Sequence, residues 1–129
     1  MFKIPCPVAL LTVRACPLPM AHDLGHLIKN AGRVAFIDTG TFETLPHTLA
    51  APKTLSLTPE TMGCVMLTHV HLDHSGSAGV MMEVFPNARL VLHPRGAHHM
   101  SEPSKLMAGI DAVYGKACTR NLRCDRPVL

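Results

Sequence analysis

The chain has 129 residues, of which 47% are hydrophobic and only 16% charged. That balance predicts one folded domain and excludes a disordered chain. The net charge of +3 is local: residues 1–115 carry eight basic and eight acidic side chains, and the surplus lies in Lys116, Arg120, Arg123 and Arg126 against Asp125, so the sequence predicts no nucleic-acid partner and no membrane-surface role for the body of the chain.

Residues 1–22 are rich in proline. The apolar run Val8–Val13 is short, ends at Arg14, and sits among Pro5, Pro7, Pro17 and Pro19. It reads as an early edge strand rather than a signal peptide. Nothing approaches the ~18 continuous apolar residues of a membrane span. The five cysteines are odd in number and none has Cys-x-x-Cys spacing, so reduced thiols and a cytoplasmic setting are expected.

Two short apolar runs, Leu27–Lys29 and Arg33–Asp38, flank Asn30-Ala31-Gly32. This spacing predicts a β-hairpin with Asn and Gly supplying the turn. Thr44 to Ala51 suits a short helix stopped by Pro52, and Thr58-Pro59-Glu60 is a second helix start, with a hydroxyl cap before a proline. Cys64 to Thr68 is a continuous apolar run, the pattern of a buried strand. Ser75-Gly76-Ser77 opens a helix through about Phe85, Arg89–Leu92 forms another strand, and Ser101-Glu102-Pro103 starts a last helix. Leu106, Met107, Ile110, Val113 and Tyr114 fall on one face of that helix, and Gly115 ends it. The order predicts an α/β layered fold over residues 1–115. Residues 116–129 form a basic tail without period. With aromatics at 4% and no tryptophan, the eight methionines must help to fill the core.

Directly after the strand at 64–68 come His69, His71, Asp73 and His74, four potential ligands in six residues. Three imidazoles and a carboxylate suit Zn²⁺, and also iron or manganese. The i, i+2 spacing lets His69 and His71 leave an extended segment on one side. Asp73 and His74 follow as the chain curls into a helix, so one loop can serve two metals. A chance match to this pattern has a probability of about one in a thousand.

The segment Thr68-His69-Val70-His71-Leu72-Asp73-His74 resembles the signature of the metallo-β-lactamase fold superfamily. Val34-Ala35-Phe36-Ile37-Asp38-Thr39-Gly40 is similar to that family's early strand ending in Asp-Thr/Ser-Gly. The resemblance covers about residues 20–115 and implies the N-terminal half of an αββα sandwich, a mixed sheet with helices. It implies that His69 and His71 bind a first metal, that Asp73 and His74 bind a second, and that Asp38 orients the metal loop without binding metal. In such enzymes a metal-bound hydroxide attacks an ester, thioester or related bond of a small-molecule substrate, and Asp73 is placed to receive or deliver a proton.

The family also takes three ligands from a second half that this chain does not display. His93, His98 and His99 come too early for the third histidine and read as loop or rim residues. His22, His26 and His47 carry no motif. The expectation is therefore a zinc-dependent hydrolase impaired by truncation, glyoxalase II-like in its possible substrates, with a C-terminus that reads like a frameshifted end. Such a chain leaves one sheet face open to self-association. The alternatives are a non-catalytic metal-binding fragment and an iron-dependent persulfide dioxygenase-like protein using the same histidines.

Overall fold

The computed structural model describes residues 9–14 and 24–114; the basic segment 116–129 lies outside them. Five strands form one mixed sheet in sequential order: β1 (Ala9–Arg14), β2 (Leu24–Asn30), β3 (Arg33–Ile37), β4 (Met62–Met66) and β5 (Arg89–Val91). β1, β2 and β3 pair antiparallel, whereas β3–β4 and β4–β5 are parallel. Parallel neighbours need crossover connections, which the helices supply. α1 (Leu45–Thr54) joins β3 to β4, and α2 (Leu72–Ser75) with α3 (Ala78–Val84) joins β4 to β5. α4 (Pro94–Ser101) and α5 (Ser104–Tyr114) follow.

The hairpin occurs where its spacing predicts, with one difference in the turn. Asn30 pairs with Arg33 as the last residue of β2, and the two turn residues are Ala31 (φ 47°) and Gly32 (φ 77°). Positive φ at both positions is the type I′ turn, one whose twist matches that of its strands. Glycine accepts that freely; alanine does so at a steric cost.

Strand alternation divides the sheet into two faces. One carries Leu27, Val34, Phe36, Met62 and Val65, all buried. Leu45 and Ala51 of α1, Ala78 and Met81 of α3, Phe85 and Met100 of α4 complete the core on that side. The rings of Phe36 and Phe85 lie 6.1 Å apart at a tilt. The other face carries Ile28, Ala35, Ile37, Cys64 and Met66, only half-buried, and Val91, which is 47% exposed. The architecture is thus helices on one face of a mixed sheet, the partial metallo-β-lactamase arrangement that the resemblance implies.

Three local expectations change. Pro52 does not stop α1, which runs on to Thr54. The carbonyl of Pro52 accepts from the amides of Leu55 and Leu57, at 3.1 and 3.0 Å, and closes the helix end. Thr58 does not cap the short 3₁₀ turn Pro59–Thr61 with its side chain; its hydroxyl bonds Glu60 and holds that carboxyl below its ordinary range. The segment after β5 is a helix, α4, rather than a loop. His93 sits at its N-cap, where Nδ1 accepts from the amide of Arg95 at 3.2 Å. On α5, Val113 is 73% exposed, so the apolar face of that helix is not fully covered. No helix among the described residues is long and apolar enough to cross a membrane.

Candidate metal centre

The site forms where β3 and β4 end side by side. The amide of Asp38, the first residue past β3, donates to Met66 O at 2.8 Å, and the amide of Leu67 donates to Val91 O at 2.8 Å. The next amide, Thr68, has no strand carbonyl to meet and donates instead to Asp38 Oδ1 at 2.8 Å. A side-chain carboxylate therefore takes over the ladder one residue before the histidines begin. Asp38 reaches that position with φ 56°, a left-handed conformation that Asp adopts more readily than most residues. It is 5% exposed, and a buried carboxylate needs its lone pairs filled.

They are filled. Besides the Thr68 amide, Asp38 accepts from the Thr68 hydroxyl, at 3.0 Å to Oδ1 and 2.8 Å to Oδ2, and Oδ2 lies 2.9 Å from His74 Nδ1. The Thr68 hydroxyl is also 3.1 Å from His69 Nδ1. A hydroxyl has one proton to give. If Thr68 donates it to Asp38, it can only accept from Nδ1–H of His69. One buried carboxylate thus places the proton on Nδ1 of His74 directly and of His69 through Thr68. In both rings the Nε2 lone pair is left for a cation, the usual arrangement for ligating histidines.

The loop itself alternates. His69 and His71 are exposed, Val70 between them is half-buried, and Leu72 is buried. His71 has extended backbone angles and then caps the single turn of α2, its carbonyl accepting from the amides of His74 and Ser75 at 2.9 and 2.8 Å. That turn brings Asp73 back toward the histidines. Ligand atoms of His69, His71 and Asp73 all lie within 4.8 Å of one another, which makes them the group of His, Cys, Asp and Glu side chains that could hold a metal ion among the described residues. His74 stands beside this group. Its ring is 3.9 Å from that of His69, and its Nε2 is 3.3 Å from Asp73 Oδ2. The donor chemistry, three imidazoles with one carboxylate, fits a borderline divalent cation.

The base of the loop is locked to the chain leaving β3. The Thr39 amide and hydroxyl both donate to His74 O, at 2.7 and 3.1 Å. The Ser77 amide donates to Gly40 O at 3.1 Å, and its hydroxyl to Thr41 O at 2.6 Å. Gly76 permits this approach: a Cβ there would stand 2.5 Å from Leu72 O and 3.2 Å from Gly40 O.

Of the four ligand candidates named from the sequence, His69, His71 and Asp73 are brought together, and His74 stands beside them in contact with Asp73 and Asp38. Of the other histidines, His98 and His99 are exposed on α4 and outside the group. Thr68 is the residue whose part the sequence reading missed. Its place just before the first histidine was visible, but its contact with Asp38 depends on how two strands end together.

Comparison with known proteins agrees with this picture. A family model described as the metallo-beta-lactamase superfamily matches residues 26–117, and the chain belongs to that superfamily. Among solved structures it is similar to the Rm3 metallo-beta-lactamase, at 22% identity and a TM-score of 0.60 over 71% of this chain and 32% of that one. It is also similar to MEM-A1, a subclass B3 metallo-beta-lactamase isolated from a soil metagenome library (19% identity, TM-score 0.60, 73% of this chain and 33% of that one). A third is the MIM-2 metallo-beta-lactamase (22%, 0.56, 60% and 29%). The chain spans about a third of the length of these structures. No curated protein sequence matches.

Proposed function

We propose that the chain is a metal-binding member of its superfamily with hydrolase chemistry, and that the cation is zinc. The carrying observation is the convergence of His69, His71 and Asp73 within 4.8 Å at the end of β4. His74 adds a donor beside Asp73, so the loop has the ligands to share between two cations, His69 and His71 for one and Asp73 and His74 for the other. A bound divalent cation supplies acidified water and a polarised substrate oxygen. The chain's own residues hold and orient. Asp38 and Thr68 fix the imidazole tautomers, α2 aims Asp73, and Asp73, with its side chain 46% exposed, is placed to pass a proton to or from substrate. The substrate class is a small molecule with an ester, thioester or related bond.

A second reading, a metal-binding chain without turnover, is favoured by the ligand count. Among the described residues the 69–74 loop is the one cluster of suitable donors, whereas a site that fixes both geometry and an open position generally draws ligands from more than one segment. Metal analysis of the purified full chain and of His71→Ala, with hydrolysis of ester and thioester substrates before and after chelation, tests both. Zinc lost in the variant and chelator-sensitive turnover supports the hydrolase. Zinc without turnover supports the second reading, and equal metal content in the two proteins removes the site.

A further inference from the structure

Val70 separates the two imidazoles, and its side chain has a specific neighbour. A Cβ built on Gly96, the third residue of α4, would lie 2.9 Å from Val70 Cγ1 and 3.5 Å from Leu92 Cδ1. The first distance is closer than carbon atoms tolerate, so α4 and Val70 meet only because residue 96 has no side chain. The backbone gives no other reason for glycine there. Gly96 is not among the positive-φ residues, and its amide sits in the first turn of α4, donating to His93 O at 2.8 Å. Glycine within a helix is otherwise unfavourable.

We infer that the seating of Val70 on Gly96 sets the roll of His69-Val70-His71, which makes Gly96 a positioning residue for the two imidazoles. The inference rests on the metal site proposed above. In extended backbone, neighbouring side chains leave on opposite sides, and the burial pattern follows this rule: Val70 is half-buried against the core while His69 and His71 are exposed. Displacing Val70 turns both rings together. Asp73 does not follow, because it belongs to α2, whose base is tied to Thr39 and Gly40. The distance from the imidazoles to Asp73 therefore depends on the contact between a valine methyl and a helix backbone.

The test is Co²⁺ titration of the full chain, with Gly96→Ala, Val70→Ala, the double variant, and Gly109→Ala as control, since a Cβ on Gly109 meets nothing within 4 Å. Gly96→Ala is expected to weaken Co²⁺ binding about tenfold or more. Adding Val70→Ala removes the obstructing methyl and is expected to return affinity to within about threefold of Val70→Ala alone. Gly96→Ala binding like the unaltered chain, or a loss that Val70→Ala does not relieve, overturns the inference. Should Gly96→Ala fail to fold, recovery of the fold in the double variant supports the seating and non-recovery overturns it. If the unaltered chain takes up no cobalt, the proposed metal site fails. The seating is then read in the metal-free protein from amide exchange at His74 and Ser75. Exchange that is faster in Gly96→Ala and restored in the double variant supports it; unchanged exchange overturns it.

Discussion

Asp38 Oδ2 lies 2.9 Å from Nδ1 of His74, and this one bond decides which nitrogen His74 can offer to a cation. The same carboxylate holds Thr68 by its amide and its hydroxyl. A residue outside the proposed ligand set is thus the one on which the orientation of the 69–74 loop converges. Its burial makes the arrangement stiff, because a carboxylate removed from water is stable only with its partners in place.

Asp38→Asn keeps the shape and tolerates the left-handed backbone, but it turns one acceptor oxygen into a donor facing other donors. Metal affinity is expected to fall by about 10- to 100-fold. Asp38→Ala is expected to lose that affinity and, in addition, to destabilise the metal-free protein by about 1–3 kcal/mol, since the partners of a buried polar group are left unpaired. Isothermal titration with Zn²⁺ and urea unfolding of the metal-free proteins check the two effects separately.

Metal removal gives a second expectation. A cation that binds only the folded chain raises its stability by about 2.7 kcal/mol at a free concentration one hundred times Kd. Thermal unfolding of the unaltered protein should therefore shift upward with Zn²⁺ and return with chelator. His71→Ala should show no such shift. His98→Ala, on the exposed surface of α4, should shift like the unaltered chain; a loss there equal to that in His71→Ala would relocate the site.

The hairpin turn offers a prediction about stability alone. Ala31 holds φ 47°, which costs an L-residue with a Cβ roughly 1–2 kcal/mol. Asparagine is the preferred residue at the first position of such a turn. Ala31→Asn is expected to stabilise the protein by about 1 kcal/mol, read as a higher urea midpoint with an unchanged slope. The site is remote from the 69–74 loop in sequence, and metal affinity should not move.

These particulars show what was legible in the chain. The strands could be read because their apolar runs alternate or lie buried, and the ligand loop because four donors in six residues have almost no other use. Asp38 was legible only through the family pattern around Asp38-Thr39-Gly40. What escaped is set by tertiary contact. α4 carries Pro94 and Gly96 near its start, a pair that reads as a loop, and it is helical because His93 caps it and Met100 reaches the core. Pro52 reads as a stop, but helix ends depend on where the last carbonyls find donors. The sequence reads as a turn supplied by Asn30 and Gly32, whereas strand register puts Ala31 in the strained position.

Gly76 is a place where the 69–74 loop can be broken without touching a proposed ligand. Its φ is ordinary, −59°, so alanine there meets no conformational penalty. The conflict is spatial: the added methyl falls 2.5 Å from Leu72 O, 3.2 Å from Gly40 O and 3.3 Å from Thr41 Cα. All three are backbone atoms and cannot rotate aside. Gly76→Ala must open the turn of α2 at Leu72 O and push its end away from the Gly40–Thr41 segment, lengthening the bonds from Ser77 to Gly40 O and Thr41 O. A destabilisation of about 1–3 kcal/mol is expected from such overpacking, with metal affinity reduced as well because Asp73 and His74 ride on α2. Urea unfolding of the metal-free variant measures the first effect and Zn²⁺ titration the second. Stability equal to that of the unaltered chain would mean that α2 and the segment after β3 are not in the contact described.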